Sequence, residues 1–245
     1  MKRAVALLHV EFEGPGTIAE IVAGEGYEVE IRSLHRGDSV PFDLGRQELL
    51  IVMGGPMGVA DIARAKYPYL EREVELLRQR VADDAPVLGI CLGAQLLAHA
   101  AGATVRSMTA EDGSTRLYEC GWGEVAFHHV ENEDVLAEIP PSAPMLHWHA
   151  DAFELPAGAR RLASTVICPT QGFRLHRRLF GLQFHCETAA QDIENFLISD
   201  GEFVVRANGE GGADDLRRET ARNIDAFRKV GARLLQNIVR SMLES

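Results

Sequence analysis

Lysine is scarce in this chain of 245 residues: Lys2, Lys66 and Lys229 are all there is. With 25 basic against 36 acidic side chains the formal charge is −11, and no run of Lys and Arg interrupts it. Such a surface repels phosphate backbones and anionic headgroups, so neither nucleic acid nor a membrane is expected as a partner. Cysteine is also sparse. The four residues at 91, 120, 168 and 186 form no Cys-x-x-Cys pair, which points to a reduced, cytoplasmic protein. The short apolar start is followed by no small-x-small cleavage site, and it reads as a first strand rather than a signal peptide. Residues 85–105 carry no formal charge, but Pro86, Gly89, Gly93, Gln95, His99 and Gly102 break them into strand, turn and helix instead of a membrane span. There is no internal repeat, no low-complexity segment and no Gly-x-x-x-x-Gly-Lys-Ser/Thr phosphate loop.

What is present suits a packed globular chain. At 46% hydrophobic and 25% charged, the composition can bury a core and is too apolar for a disordered segment. Apolar runs of strand length recur at 4–10, 29–31, 49–53, 86–90, 125–127, 144–148, 161–167 and 179–185, with helical patterns such as 69–80 between several of them. The run from Leu49 to Met53 is continuously apolar, as a strand covered on both faces must be. Alternation of such strands with helices predicts an α/β fold with a doubly wound, mostly parallel sheet. Thr188 with Gln191 has the form of a capping box opening a helix, 201–212 reads as a loop, and an amphipathic helix follows from Ala213. Its apolar stripe, Leu216 to Met242, has to be covered by its own domain or by a partner. Residues 1–200 are therefore expected to form one α/β domain, with 201–245 a loop and helix extending it.

In doubly wound sheets ligands bind beyond the carboxyl ends of the strands. Two segments with chemical potential lie there. In Gly89-Ile-Cys91-Leu-Gly93-Ala-Gln95 an apolar strand meets an Ala/Leu-rich helix, and glycines two before and two after Cys91 permit a sharp strand-to-helix turn with Cys91 at its apex. A sulfur so placed faces the cleft at a helix N-terminus, which predicts a depressed thiol pKa and a nucleophile; a small buried Cys in a Gly-rich turn is the plainer alternative. In Gln183-Phe-His185-Cys-Glu187 the His and Glu point to the same side of an extended segment, so the carboxylate can orient the imidazole while its other nitrogen faces a nucleophile. A pair placed only for packing is the alternative.

Together with Gly54-Gly55-Pro56, these segments resemble the class I glutamine amidotransferases in residue, order and separation, and are similar to the glutaminase domain of GMP synthase. The resemblance covers about residues 1–200 and implies the flavodoxin-like fold of that family. It implies Cys91 as nucleophile, His185 as general base and acid, and Glu187 as orienter. It further implies that Gln95 and the backbone at Gly54 and Gly55 line a glutamine pocket, with the N–H groups of Gly55 and Leu92 as the oxyanion hole. Two departures stand out. Cys186 replaces the Pro usual between His and Glu, which loosens the backbone there, and Met53 replaces the first Pro of the usual Pro-Gly-Gly-Pro.

His147-Trp-His149-Ala-Asp151 places three potential metal ligands close together, but no further His or Cys lies at ligand spacing. His149 and Asp151 match a Ser-His-Gly-Asp-like segment of the resembled family beside its cleft, so lining the pocket is the preferred role. Gly121-Trp122-Gly123 is either a turn before the next strand or a wall of that pocket. His128 and His129 read as ordinary strand-end residues.

The implied reaction is attack of the Cys91 thiolate on the γ-carboxamide of glutamine, release of ammonia, and hydrolysis of a γ-glutamyl thioester, with no metal or organic cofactor. The ammonia acceptor would be a separate synthetase polypeptide, with a second copy of the chain as the other candidate partner. The same triad would serve a γ-glutamyl peptidase or hydrolase, as plant members of the family imply. A non-catalytic binding module on this fold is the alternative of another class.

Overall fold

The computed structural model describes residues 2–128 and 134–244. In chain order its elements are β1 (Lys2–Leu8), α1 (Gly16–Gly24), β2 (Tyr27–Ser33), β3 (Leu49–Val52), α2 (Tyr69–Asp83), β4 (Val87–Ile90), α3 (Leu92–Ala100), β5 (Val105–Ser107), β6 (Glu119–Phe127), β7 (Ser142–His149), β8 (Asp151–Phe153), β9 (Arg160–Ser164), β10 (Gly172–Leu175), β11 (Leu179–Leu182), α4 (Ala190–Ser199), α5 (Gly201–Asn208) and α6 (Gly212–Leu243).

Nine strands form one sheet in the order β2-β1-β3-β4-β11-β10-β9-β6-β7, while β5 and β8 pair separately. The first five are parallel, and the sheet continues through β10, β9, β6 and β7 in antiparallel register. The α/β fold with its mostly parallel centre is thus as the apolar runs predict. Strand alternation sends Ala4, Ala6, Leu49 and Ile51 into a core beneath α1, α4 and α6, and Val5, Leu7, Leu50 and Val52 into a second core beneath α2 and α3. The order reverses at β1, whose neighbours are β2 and β3, and the carboxyl ends of β1, β3, β4 and β11 open on one cleft.

Some boundaries and two elements differ from the sequence reading. The strand expected at 161–167 stops at Ser164, because Val166 and Ile167 turn outward and are exposed. Residues 201–212 are not a loop: α5 occupies Gly201–Asn208, burying Val204, and Gly209 ends it with φ +79°. Four glycines in this stretch obscure a two-turn helix that tertiary contacts stabilise. The Thr188–Gln191 capping box does not form. Ala189 is the cap residue, and the Asp192 carboxylate accepts its N–H at 2.7 Å. Gly121 and Gly123 lie inside β6 rather than in a turn.

The long helix α6 settles on its own chain. Leu216, Phe227, Leu234, Leu235, Ile238, Val239 and Met242 are buried in the first core, so the amphipathic stripe needs no partner to cover it. Asn237 adds hydrogen bonds to the carbonyls of Val135 and Ala137 at 3.1 and 2.8 Å. His128 bonds the Ser164 hydroxyl at 2.9 Å; His129 lies outside the described residues. Among the described residues no helix is long and apolar enough to cross a membrane.

Candidate active site

Cys91 stands between β4 and α3 with φ +50° and ψ −108°, a conformation that costs of order 1–3 kcal/mol for a residue with a side chain. The flanking glycines make the turn possible. A Cβ on Gly93 would lie 2.0 Å from the Val52 carbonyl oxygen, and one on Gly89 would lie 2.5 Å from that of Gly93. The sharp turn read from the sequence is therefore formed, with the sulfur at its apex and Leu92 opening the helix.

His185 follows β11. Its Nδ1 is 2.7 Å from Glu187 Oε1, and both side chains are buried. The residue between them repairs the loss of proline: the Cys186 N–H, which proline would lack, donates to Glu187 Oε2 at 2.9 Å. Thr17 N–H fastens the Glu187 carbonyl at 3.0 Å. His185 Nε2 is buried and makes no hydrogen bond, yet thiol and imidazole are close enough for each to shift the other's titration. Burial pulls the imidazole down, but the Glu187 carboxylate and the thiol more than reverse this and hold it well above its ordinary value.

The thiol departs from the sequence expectation. Burial pushes Cys91 up, and the neighbouring imidazole and the Leu92 N–H offset this only in part, so its pKa is raised rather than depressed. Helix position is a local signal; burial is not. The sulfur is 3.8 Å from the Trp148 carbonyl and 3.6 Å from the Gln183 amide nitrogen.

A cleft of about 130 Å³ opens over the sulfur, lined among others by Gly55, Leu92, Gln95, His149 and Asp151. Gln95 is held by Gln183 Oε1 at 3.1 Å and the Asp151 carbonyl at 3.4 Å. His149 is fixed at both nitrogens, Nδ1 3.0 Å from the Asp151 carbonyl and Nε2 3.0 Å from Glu119 Oε2. Trp122 does not reach this cleft. It packs edge-on to Phe227 at 5.0 Å and donates to Thr220 at 3.0 Å, both on α6, so it anchors the helix instead of walling a pocket.

The donor cluster near His149 also differs in membership from the sequence pattern. Glu119, His147 and His149 bring one ligand atom each within 4.8 Å, whereas the Asp151 carboxylate turns to Ser107 and Arg116 at 2.9 and 3.0 Å. The Gln171 amide donates to Glu119 and lies 3.3 Å from His149 Nε2. Thr165 Oγ1 donates to the other Glu119 oxygen at 2.5 Å. Glu119, His149, Gln171 and Thr165 thus form a buried hydrogen-bond network behind the cleft wall, while both ring nitrogens of His147 are buried without a hydrogen-bond partner. Burial, reinforced by the neighbouring His149, pushes His147 down to about 4, so it is neutral at pH 7.

Sequence reasoning passed over several cleft residues. Trp148, stacked on Phe203 and donating to Asp200 at 3.0 Å, forms one wall with Phe203 and Arg206 of α5. Glu13, on the loop after β1, is buried in the cleft with Oε2 unpartnered. That oxygen would meet a Cβ on Gly54 at 1.9 Å. Burial pushes its carboxyl up to about 7, against the charges of His185 and His9 and aided by those of Glu187 and Asp200. The folded protein therefore binds this proton more tightly than the unfolded chain does. The contribution is full below the ordinary value of 4.5 and is lost as pH rises through about 7, a loss of about 3 kcal/mol. Glu13→Gln removes it. In urea titrations the variant should gain on the wild type by that amount between pH 4 and pH 8; parallel curves would refute the assignment.

Comparison with known proteins adds to this geometry. The profile of one family, Glutamine amidotransferase class-I, matches residues 17–203. A glutamine amidotransferase-like protein of Salmonella typhimurium, YfeJ, is 28% identical over 83% of this chain and 83% of its own length. The GMP synthase of Streptococcus mutans is 29% identical over 74% of this chain but only 33% of its own length, so the chain spans about a third of that relative. One subunit of the GMP synthase of Methanosarcina barkeri is 34% identical over 60% of this chain and 71% of its own. The crystal structure of a glutamine amidotransferase from Thermotoga maritima superposes with a TM-score of 0.83 at 28% identity, covering 100% of this chain and 99% of that one.

Proposed function

We infer the reaction from one premise: the chain belongs to the class I glutamine amidotransferase family. The proposal is a glutaminase that cleaves the γ-carboxamide of glutamine through Cys91, His185 and Glu187. The observation that carries it is the strained Cys91 apex beside an imidazole whose far nitrogen is held at 2.7 Å by a buried carboxylate.

With the thiol and the imidazole both pushed up, the resting pair is a neutral thiol beside an imidazolium. Loss of one proton leaves a thiolate beside an imidazolium, the reactive form. The thiolate attacks the γ-carbonyl carbon, and the oxyanion that forms is received by backbone N–H groups at Gly55 and Leu92. Imidazolium at His185 protonates the departing nitrogen. The neutral ring then draws a proton from water, which attacks the γ-glutamyl thioester and releases glutamate. Glu187 orients the ring and stabilises its charge throughout. None of these steps uses a metal or an organic cofactor. In this reading residues 1–200 hold the whole reacting centre, α5 completes its rim, and ammonia passes to a separate synthetase polypeptide in the cytoplasm.

A second reading, γ-glutamyl peptidase or hydrolase, is favoured by the outer wall of the cleft. There Phe203 and the Arg206 guanidinium would suit a leaving amine that carries a carboxylate. Acylation is the same in both cases.

A substrate panel on the purified chain ranks them. Ammonia release from free glutamine exceeding amine release from γ-glutamyl dipeptides by tenfold or more in kcat/KM supports the first reading, and the reverse order supports the second. Turnover of neither, together with failure of a glutamine-analogue electrophile to label Cys91, would leave a binding module on this fold.

A further inference from the structure

A buried acid–imidazole pair outside the triad takes no part in the mechanism above. His9, just past β1, and Glu73, on the inward face of α2, are both fully buried. His9 Nε2 lies 2.9 Å from Glu73 Oε2, and Nδ1 lies 3.0 Å from the carbonyl oxygen of Gly54. A carbonyl oxygen and a carboxylate can only accept, so both ring nitrogens carry hydrogen and the ring is an imidazolium between two acceptors.

The acceptor on the cleft side is the peptide that matters. A trans peptide holds its C=O and N–H on opposite sides. Pinning Gly54 O toward His9 therefore turns the Gly55 N–H the other way, to the side on which Gly55 lines the cleft beside Cys91. Among the described residues no group of the chain accepts that N–H. Left unpinned, a Gly-Gly peptide rotates easily, since neither residue has a side chain to restrict it. A flipped peptide would aim a carbonyl oxygen at the place where negative charge develops. A Cβ on Gly55 would lie 2.9 Å from His9 Cβ, so His9 and this glycine are packed too closely to admit a side chain.

We propose that the buried His9–Glu73 pair is a positioning device that locks the Gly54–Gly55 peptide with its N–H toward the oxygen of the reacting carbonyl, giving a preformed oxyanion hole. His9 and Glu73 touch no substrate. They act through the peptide, and the inference rests on the acyl-transfer reading above. Glu73 does two things here: it supplies the charge that keeps Nε2 protonated, and it holds the ring so that Nδ1 meets Gly54.

Two variants of the full chain separate the lock from mere packing. Glu73→Gln keeps the Nδ1–H donor to Gly54, because the new amide can donate to a neutral His9 Nε2. The double variant His9→Phe/Glu73→Leu removes the donor without stranding a buried charge, a replacement that folded proteins tolerate. With the best γ-glutamyl substrate of the panel, the double variant should lose about 10²- to 10³-fold in kcat, with KM within about threefold, as befits an interaction made in the transition state. Glu73→Gln should stay within about tenfold of the wild type. Alkylation of Cys91 by iodoacetamide, which forms no oxyanion, should change less than about threefold in either. Retained kcat in the double variant, equal losses in both variants, or a parallel fall in alkylation would overturn the proposal. A crystal structure of the double variant decides it independently of turnover: the Gly54 carbonyl swung into the cleft supports the lock, and an unmoved peptide defeats it. Wild-type protein inactive on every γ-glutamyl compound would instead sink the acyl-transfer reading, with the peptide's orientation still deciding the lock.

Discussion

Cys91→Ala should abolish turnover, lowering hydrolysis of the best glutamine or γ-glutamyl substrate by about 10⁴-fold or more, while the melting temperature stays within a few degrees of the wild type. The two halves of this expectation have separate causes. The sulfur makes only long contacts, 3.8 Å to the Trp148 carbonyl and 3.6 Å to the Gln183 amide, so its removal costs the fold little. In the proposed reaction the bond from this sulfur to the substrate has no substitute. His185→Ala should fall to the same level, and the double variant no further, because a nucleophile and its base act as one unit. The raised thiol pKa adds a pH signature. Thiolate is the reacting form in alkylation, so iodoacetamide labelling of Cys91 should climb about tenfold per pH unit through neutrality and level off only above the ordinary thiol value. A labelling rate already flat below pH 8 would mean a depressed pKa, and the resting pair would then be a thiolate–imidazolium pair. Residual turnover in Cys91→Ala within tenfold of wild type would remove the nucleophile from the mechanism.

The reversal of the thiol's direction shows where reading the sequence stops. Features encoded within a few residues of each other were legible. The strands β1, β3 and β4 announce themselves as continuous apolar runs because helices cover them on both faces. The apex at Cys91 is announced by glycines two positions either side, and the His185–Glu187 pair by its i, i+2 spacing in an extended segment. Each is a local pattern whose geometry is settled locally. Glu13 and His9, both on the loop after β1, and Glu119, at the start of β6, reach the site or its supports from far along the chain, and no spacing connects them to Cys91. Trp122 illustrates the converse. Its Gly-Trp-Gly setting suggested a turn or a pocket wall, and its partners Thr220 and Phe227 lie about a hundred residues further on. Burial of Cys91 is likewise a property of the assembled cleft. Its helix-terminal position could be read from the chain, but the desolvation that outweighs that position could not. The helix α5 is hidden because Gly201 opens it and glycines at 209, 211 and 212 crowd the sequence just past its end, while Val204 and Phe203 find their packing only against other elements.

The same local geometry sets a large stability effect expected from adding a single methyl group. Gly93→Ala should destabilise the fold by about 3 kcal/mol or more, a large share of the 5–15 kcal/mol typical of a whole domain. The new Cβ would lie 2.0 Å from the carbonyl oxygen of Val52 and 2.7 Å from its carbonyl carbon. Neither side can yield cheaply. Val52 is paired with Leu7 and Gly89 in the middle of the parallel sheet, and α3 carries a face of leucines and alanines into the second core. Relief requires sliding α3 away from β3, which moves the Leu92 N–H relative to the sulfur, so the protein that still folds should also lose most of its activity and its labelling by a glutamine-analogue electrophile. Gly24→Ala is the matched control. It lies at the end of α1 with no atom within 4 Å of its added Cβ and no left-handed φ, and should be neutral or stabilise by about 0.5–1 kcal/mol through the unfolded chain. Urea unfolding of the two variants side by side measures the contrast. A Gly93→Ala cost below about 1 kcal/mol would mean that β3 and α3 do not approach this closely, and the tight turn that presents Cys91 would have to be abandoned with it.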